Sequence, residues 1–343
     1  MKALVLHGIR DLRVEERQTP RPGPGQVLVR VRAVGLCGSD VHYYTHGRIG
    51  DQVVREPMIV GHEAAGEVAA VGPGVEGLSA GARVAIEPAL SCGECEWCTT
   101  GRPNECPAVR FFSTPPVDGV MCEFVVVERE QCAAIPDSMS FEEAAMLEPL
   151  QVAVHATNLG GTVPGETVAV IGAGCIGLGC MELARVGGAA QIIMTDRLDY
   201  RLKLARSLGA DATVNVEKED PGAALARLTG GRGADLVLEC TNRASGPPQA
   251  LEAAAIGGRV VLVGIPQEDE VTLDPHRARR KELRVQFVRR SRFALRQALR
   301  LVESKRVDVA SWVTHRFGLA EAKKAFDLVE KYADGVLKAV ILP

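Results

Sequence analysis

The stretch ETVAVIGAGCIGLG at 166–179 decides the fold, because the pattern of the chain changes here. Its first half is a continuous apolar run, which is typical of a parallel strand covered on both faces. The glycines Gly172, Gly174 and Gly177 follow with the spacing G-x-G-x-x-G and open a helical segment. Gly172 would permit a tight turn, Gly174 would let a pyrophosphate approach the backbone, and Gly177 would let the helix pack on the strand. The stretch predicts a dinucleotide-binding unit.

Strands and helices alternate beyond this stretch. A second buried strand, AQIIMTD at 190–196, is followed by a helical segment that ends near Gly209, a glycine suited to the position after a helix. The runs DLVLECT and GGRVVLVGI repeat the strand pattern, each after an Ala/Leu-rich helical segment. Alternation of this length predicts a doubly wound parallel sheet over 151–289.

An acidic residue closes the second strand of this region. Asp196 lies nineteen residues after Gly177, where a carboxylate can accept hydrogen bonds from the ribose hydroxyls and would repel a 2′-phosphate. We therefore predict NAD rather than NADP. Arg197 follows directly and Arg201 lies further along the same loop and helix start. Because an arginine suits a 2′-phosphate, the strictness of this preference stays open.

The rest of the chain is organised differently. Residues 1–150 contain short Val/Ile-rich runs punctuated by Gly/Pro turns, which predict a barrel-like β domain. Residues 290–343 contain two amphipathic helical segments and a terminal strand, LKAVILP. We predict that 1–150 and 290–343 form one domain, into which the parallel-sheet domain 151–289 is inserted.

Composition excludes several classes of protein. The formal net charge is −3, and the one basic stretch, at 277–292, is broken by apolar residues and predicts a strand with solvated flanks, so nucleic acid is not expected as a partner. No apolar run reaches the eighteen residues of a membrane span. Ten cysteines without a secretory signal predict a reducing compartment, the cytoplasm.

Four of the cysteines lie in the stretch SCGECEWCTTGRPNEC at 91–106. Their spacing is C-x₂-C-x₂-C-x₇-C, and they are Cys92, Cys95, Cys98 and Cys106. Four thiolates close the tetrahedral shell of a zinc ion and leave no position for a substrate. We predict a structural zinc in a lobe at about 88–110. An iron–sulfur cluster is the alternative, but nothing nearby provides an electron-transfer context.

A catalytic metal would need an open site with ligands that are distant in sequence. Two fragments qualify, GLCGSDVH at 35–42 and GHEAAGE at 61–67. Cys37, His62 and one carboxylate would form a three-ligand set with a vacant fourth position, the arrangement of a catalytic zinc.

These fragments, in the order GLCGSDVH, GHEAAGEV, CGECEWC, EPL and VIGAGCIG, resemble the zinc-dependent medium-chain dehydrogenase/reductase family over essentially the whole chain. The longer strings at 39–68, 111–126, 141–150 and 313–317 resemble its sorbitol (L-iditol) and xylitol dehydrogenase branch. The resemblance implies a GroES-like catalytic domain, a Rossmann NAD-binding domain, two zinc ions per chain and a homotetramer. It also implies oxidation of a secondary hydroxyl of a polyol to a ketose, with hydride transfer to NAD.

The resemblance implies roles for individual residues. Cys37, His62 and Glu63 would bind the catalytic zinc, and Glu148 of EPL would sit at the same ion, directly or through its bound water. Which carboxylate is the ligand stays open, and Glu63 could instead contact the zinc ligands without binding the ion itself. The substrate proton would leave through the water at Glu148, or through Ser39 and His42, although these two could also be a turn residue and a solvated helix start. The implied substrate-pocket residues are Phe112 and Arg290. The implied cofactor-binding residues are Gly172, Gly174, Ile176, Gly177, Asp196, Arg201, Val263, Gly264 and Ile265.

Several functions remain open at this stage. Within the family, the alternatives are 2,3-butanediol dehydrogenase and L-threonine dehydrogenase, which share the metal motifs. In a different class, a non-catalytic binding module would use the zinc lobe for contacts and would hold one zinc per chain rather than two. The neighbours of Arg290 depart from the sorbitol enzyme pattern, so the sequence does not identify the substrate at that end of the pocket.

Overall fold

The computed structural model describes all 343 residues as two compact units. The first comprises Met1–Pro149, Ala298–Glu303 and Val309–Pro343, and the second comprises Leu150–Gln297 and Ser304–Asp308. The strands are β1 (Lys2–Gly8), β2 (Asp11–Glu16), β3 (Gln26–Gly35), β4 (Arg48–Ile49), β5 (Gln52–Val53), β6 (Met58–Ile59), β7 (Glu63–Val71), β8 (Arg83–Ile86), β9 (Ala89–Leu90), β10 (Arg110–Phe111), β11 (Phe124–Glu128), β12 (Cys132–Ala134), β13 (Thr167–Ile171), β14 (Gln191–Asp196), β15 (Ala212–Asn215), β16 (Ala234–Glu239), β17 (Ala254–Leu262), β18 (Arg284–Phe287), β19 (Val313–Gly318) and β20 (Lys338–Leu342). The helices are α1 (Gly38–His46), α2 (Glu96–Thr99), α3 (Phe141–Ala145), α4 (Leu147–Gly160), α5 (Cys175–Val186), α6 (Asp199–Ser207), α7 (Pro221–Leu228), α8 (Gly246–Ala253), α9 (Pro275–Arg280), α10 (Leu295–Glu303) and α11 (Ala322–Glu330).

The first unit is built on a seven-stranded sheet. Its strand order is β12-β8-β7-β3-β20-β19, and β11 also pairs with β3. Along β3, Val27, Val29 and Val31 are buried, whereas Arg30 and Arg32 are exposed, which is the period-2 alternation of a strand with one face on the core. The predicted β-rich character of this part of the chain is confirmed, as is the terminal strand β20, which lies between β3 and β19.

The second unit contains a six-stranded sheet in which every pair of neighbouring strands is parallel. The order is β15-β14-β13-β16-β17-β18, which is 3-2-1-4-5-6 when the strands are counted from β13. This is the order of the doubly wound dinucleotide-binding fold, and the strand order reverses beside β13, where such folds bind their ligand. The predicted doubly wound sheet is therefore confirmed.

The basic stretch at 277–292 contains the predicted strand, and a short helix that was not predicted reaches into its first flank. Residues Pro275–Arg280 form the short helix α9, and the strand β18 begins at Arg284. Asp274 starts this helix, because its carboxylate accepts hydrogen bonds from the backbone N–H groups of His276 (2.9 Å) and Arg277 (3.1 Å). An Asp cap followed by proline at the first helical position starts a helix.

No helix of the chain combines the length and the apolar character that a membrane crossing requires.

Candidate active site

Three potential metal ligands converge in the first unit. The sulfur of Cys37, a ring nitrogen of His62 and a carboxylate oxygen of Glu63 all lie within 4.8 Å of one another. Cys37 caps the N-terminus of α1 directly after β3, and Glu63 is the first residue of β7, which pairs with the end of β3. The pairing of β3 with β7 therefore brings together two fragments that are distant in sequence.

Gly35 makes room for this arrangement. A Cβ atom at position 35 would lie 2.0 Å from Oε2 of Glu63 and 2.7 Å from the terminal methyl group of Met146. Any side chain here would displace the Glu63 carboxylate, so the glycine is required by close approach rather than by its backbone angle.

Asp40 ties the two ligand fragments together. Its buried carboxylate accepts hydrogen bonds from the backbone N–H groups of Cys37 (3.1 Å) and Gly61 (3.0 Å) and from the hydroxyl of Ser113 (2.8 Å). Oδ1 of Asp40 also lies 3.7 Å from Nδ1 of His62. The sequence pattern did not single out Asp40; its position three residues after Cys37, where an N-terminal helix cap is completed, is the signal that could have found it.

The charges of this group shift one another's pKa. Burial raises the pKa of Asp40, but the charge of His62 and the hydrogen bonds that Asp40 accepts outweigh burial, and its pKa is lowered. Burial lowers the pKa of His62, but Cys37 and Asp40 outweigh it and raise that pKa well above the ordinary value. Asp40 and Cys37 therefore make the surroundings of the imidazole strongly negative, which suits a cation.

These residues fit a zinc ion. Nδ1 of His62 is buried, makes no hydrogen bond and faces Asp40, so the other ring nitrogen is the one available as a metal donor. Histidine ligands typically place their second nitrogen against a carboxylate in this way. One sulfur, one nitrogen and one oxygen donor are three of the four ligands of a tetrahedral zinc, which leaves one position open.

Glu63 also has a cationic neighbour that the sequence did not reveal. Nζ of Lys338, the first residue of β20, lies 2.7 Å from each carboxylate oxygen of Glu63 and 3.2 Å from the carbonyl oxygen of Leu36. Both side chains are buried. A lysine inside the apolar run LKAVILP was the available signal, because a buried lysine needs a partner.

Glu148 lies close enough to interact with this group but is not part of the cluster within 4.8 Å. It is the second residue of α4 and is buried. Burial is the largest cause that raises its pKa to about 8; Glu63 and Glu87 raise the pKa further, whereas His62 and Lys338 lower it. The carboxyl group of Glu148 can therefore hold a proton near neutral pH.

The other residues expected around the metal lie as follows. Ser39 is half-buried in the first turn of α1, and His42 is buried one turn later, with its ring 5.8 Å from that of the exposed His46. Phe112 packs against the hydrophobic core of the first unit. The ring that lies beside His62, at 5.4 Å between centroids, belongs to Phe111.

The four cysteines of the lobe also form one group. The sulfur atoms of Cys92 and Cys98 are 3.9 Å apart, those of Cys95 and Cys98 are 3.5 Å apart, and those of Cys106 and Cys92 are 3.6 Å apart. A tetrahedral zinc with sulfur at ~2.3 Å separates its ligands by about 3.8 Å, so the four thiols fit this ion. Hydrogen bonds from the backbone of Glu94 and Cys95 lower the pKa of the Cys92 thiol to about 7.

The glycine loop of the second unit has the geometry expected from its spacing. Gly172 has φ 96°, and a Cβ atom at Gly177 would lie 1.8 Å from the carbonyl oxygen of Gly172. In contrast, a Cβ atom at Gly174 would meet only Nη1 of Arg201, at 3.9 Å. Gly174 caps the N-terminus of α5, so the open side of the loop lies at a helix end that favours anions. Ile176 is half-buried in the first turn of this helix.

The remaining cofactor residues flank this loop or follow other strands of the sheet. The carboxylate of Asp196 accepts hydrogen bonds from the backbone N–H groups of Ala173 (2.7 Å) and Leu198 (2.9 Å). Val263 and Gly264 donate backbone hydrogen bonds to the carbonyl oxygen of Glu239, and Ile265 is exposed. Arg290 is half-buried after β18, with φ 56°.

Comparisons with known proteins assign the chain to a family. Residues 23–137 match the alcohol dehydrogenase GroES-like domain, and residues 175–304 match the zinc-binding dehydrogenase family. The chain is 37% identical to the sorbitol dehydrogenase of Bacillus subtilis, over 100% of this chain and 97% of that protein. The chain belongs to the zinc-dependent medium-chain dehydrogenase/reductase family, in its sorbitol dehydrogenase branch.

Further relatives agree with this assignment. The sorbitol dehydrogenase of Gallus gallus is 41% identical over 96% of this chain and 93% of that protein. A solved oxidoreductase/dehydrogenase of unknown specificity from Escherichia coli is 31% identical and superimposes with a TM-score of 0.94, covering 99% of this chain and 98% of that chain. The resemblance and the enzyme class expected from the sequence are confirmed, and the alternative of a non-catalytic binding module is excluded.

Proposed function

We propose that this medium-chain dehydrogenase oxidises a secondary hydroxyl of a sorbitol- or xylitol-like polyol to the ketose, with NAD as the hydride acceptor. Sorbitol dehydrogenases with 37% and 41% identity over nearly the whole chain support the substrate class. The single observation that carries the proposal is the convergence of Cys37, His62 and Glu63, a mixed donor set with an open position.

We propose that Cys37, His62 and Glu63 bind the catalytic zinc, and that Glu148 acts at the same ion, directly or through water. When bound, the zinc would supply Lewis-acid stabilisation of negative charge on the substrate oxygen. Two carboxylates and a single sulfur make a harder donor set than two thiolates would, which suits a hydroxyl-rich substrate.

The protein groups around the ion have separate tasks in this proposal. Asp40 orients His62 through the 3.7 Å approach to its Nδ1. Burial raises the pKa of Glu148 to about 8 without metal, and a bound zinc ion would lower it, so this carboxyl group could accept a proton and release it. Ser39 and His42 lie one turn apart on α1 and would pass a proton outward in the direction of the exposed His46.

The second unit would bind NAD, which when bound accepts the hydride at its nicotinamide ring. The backbone of the glycine loop would receive the pyrophosphate at Gly174, where there is room, and Ile176 lies in the same turn. Asp196 would accept hydrogen bonds from the ribose, since each carboxylate oxygen has a further lone pair. Arg201 would lie near the phosphates, and Val263, Gly264 and Ile265 near the nicotinamide. We propose Phe112 and Arg290 as substrate-pocket residues.

The four cysteines of the lobe at about 88–110 would hold a second, structural zinc. Their sulfur–sulfur distances of 3.5–3.9 Å support a closed tetrahedral shell. The proposed domains are a GroES-like catalytic domain of residues 1–150 and 290–343 and an NAD-binding domain of residues 151–289.

A substrate panel tests the reaction. We expect strong NAD⁺ reduction with a C5 or C6 polyol, scored by NADH absorbance, and weaker reduction of NADP⁺. Threonine and 2,3-butanediol are included because enzymes for both share the metal motifs. Preference for either of these two substrates over every polyol would contradict the proposal. Zinc content measured on the same preparation should be two ions per chain.

Cytoplasmic location and a homotetramer stay predictions. The apolar edge of the parallel sheet supports association through this unit, because Val285 and Phe287 on the edge strand β18 are 37% and 68% exposed. Sedimentation of the purified chain would measure the oligomeric state.

A further inference from the structure

Lys338 occupies an unusual place beside the proposed zinc ligands. Its side chain is 7% exposed and that of Glu63 is 1% exposed, and the two form an ion pair at 2.7 Å. Lysine is almost never fully buried unless it is paired. The first residue of the last strand is therefore committed to the metal site.

Lys338 contacts both ligand-bearing fragments. An ammonium group has three N–H donors, and three acceptors surround it: Oε1 of Glu63 at 2.7 Å, Oε2 of Glu63 at 2.7 Å and the carbonyl oxygen of Leu36 at 3.2 Å. Leu36 directly precedes Cys37, and Glu63 directly follows His62. One ammonium group thus joins the two chain fragments that supply all three proposed ligands.

The Glu63 carboxylate has close neighbours on two further sides. Gly35 and Met146 border it on one side, since a Cβ atom at Gly35 would lie 2.0 Å from Oε2 of Glu63. On another side the donor atoms of Cys37 and His62 lie within 4.8 Å. The same carboxylate is therefore shared between a fixed ammonium group and the position of the ion.

We propose that Lys338 is a positioning residue that serves as the counter-ion of Glu63 and keeps the ligand site assembled when no metal is bound. This inference rests on the proposed zinc site. Without Lys338, Glu63 would be a buried charge with no partner, which destabilises a fold strongly, whereas a zinc ion would replace the missing positive charge. Lys338 and zinc thus stabilise the same carboxylate, each in part substituting for the other.

The test compares Lys338→Met with wild type in metal-free and zinc-loaded forms. Both proteins are stripped by chelator dialysis, reloaded with zinc and unfolded by heat, and zinc content is measured by mass spectrometry. We expect the melting temperature of the metal-free variant to fall by roughly 5–10 °C, and zinc to restore most of this loss. The zinc-induced rise should therefore be larger in the variant than in wild type. The lobe zinc contributes equally to both proteins and cancels in this comparison.

Lys281→Met is the matched control. Nζ of Lys281 also contacts three oxygens, the carbonyls of Leu251 (3.2 Å), Glu252 (2.7 Å) and Ala254 (2.7 Å), but no carboxylate. We expect this variant to lose the same stability with and without zinc. The double variant Glu63→Gln/Lys338→Met removes both charges, and we expect its metal-free form to be more stable than that of Lys338→Met alone.

The outcomes separate the inference from the proposed function. If zinc is lost completely from Cys98→Ser, in which the lobe site is broken, the catalytic zinc proposal fails. If wild type binds two zinc ions per chain but zinc stabilises Lys338→Met no more than wild type, the counter-ion role is overturned. If Lys338→Met does not fold, a folded double variant supports the role, and a double variant that is equally unfolded contradicts it, because Lys338 would then act through packing alone.

Discussion

The two cysteine-containing ligand groups of the first unit have opposite designs. In the lobe, four identical donors lie on a short stretch of chain, Cys92 is exposed, and the sulfur atoms need no supporting charges. In the other group, three different donors come from two distant fragments, and His62 and Glu63 are buried and supported by Asp40 and Lys338. A closed shell of four thiolates is complete in itself, whereas an open mixed shell must be assembled by its surroundings.

This difference separates stability from chemistry. A closed site can contribute folding energy but offers no coordination position to a substrate. An open site offers such a position, but its charged ligands are buried, which opposes folding. Variants in the two groups should therefore differ in which property they lose.

Cys37→Ser tests the open site and should have the largest effect. Loss of the thiolate removes the anchoring donor of the proposed catalytic zinc, and we expect kcat/KM for the polyol to fall by roughly a thousandfold or more, because metal-ion stabilisation of the developing charge is worth several kcal/mol. NADH formation measures the loss. The melting temperature should change little, and Cys132→Ala, in the same unit and outside both groups, should keep its activity. Full activity of Cys37→Ser would refute the catalytic role.

Cys98→Ser tests the closed site. We expect loss of one zinc per chain and a melting temperature lower by about 5 °C or more, because structural zinc sites contribute folding energy directly. Activity per folded molecule, measured below the new transition, should stay within about threefold of wild type, since no substrate position is affected. A thousandfold loss of activity with unchanged stability would reverse the roles assigned to the two groups.

The glycine loop offers the same contrast inside the second unit. In Gly177→Ala the new methyl group would meet the carbonyl oxygen of Gly172 at 1.8 Å, so both stability and NAD binding should suffer. In Gly174→Ala it would meet nothing closer than 3.9 Å, so the fold should be unchanged and only the approach of the pyrophosphate impaired. We expect about a tenfold rise in KM for NAD⁺ with constant melting temperature for Gly174→Ala. Equal destabilisation by the two substitutions would contradict this assignment.

Much of this organisation follows from local patterns. The parallel sheet was predictable from its apolar runs, and the backbone geometry of the glycine loop from its spacing, because both are set by neighbours in sequence. The fragments of Cys37 and His62 could be proposed as a pair from their residue types, but the choice of Glu63 as the carboxylate needed the family resemblance, since the convergence depends on the pairing of β3 with β7. Helix α9 was not predicted, although Asp274 and Pro275 carry the local signal of a helix start, because the residues after them are mostly charged and show no apolar periodicity.

The supporting charges were not predictable in the same way. Asp40 carries a local signal. Lys338 and Glu63 are 275 residues apart in the chain, and nothing in the sequence indicates that their side chains approach to 2.7 Å. The aromatic ring beside His62 is that of Phe111, whereas the family resemblance implies Phe112 as a substrate-pocket residue. Phe111 ends the short strand β10 and Phe112 lies in the turn that follows, packed against the core, so the two neighbouring rings have different surroundings.

Glu239 extends the comparison to a buried carboxylate that has no cationic partner. It is 1% exposed and accepts hydrogen bonds from the backbone N–H (2.8 Å) and the hydroxyl (2.5 Å) of Thr241. Burial is the largest influence and raises the pKa of Glu239 above the ordinary value of 4.5, although these hydrogen bonds lower it. The pKa of Glu239 in the folded protein therefore lies above its pKa in the unfolded chain. The stability that the protonated form contributes is fully present below the pKa of the unfolded chain, and it is lost as the pH rises through the pKa of the folded protein.

Glu239→Gln should therefore show the smallest effect, and one that depends on pH. The amide stays neutral at every pH, so we expect the melting temperature of the variant relative to wild type to increase by about 1–3 °C between pH 4 and pH 8. Any constant loss from the altered hydrogen bonds cancels in this difference. A relative melting temperature that falls as the pH rises would mean that the ionised Glu239 is stabilised by the fold. The contrast with Glu63, which has Lys338 as its counter-ion, would then disappear.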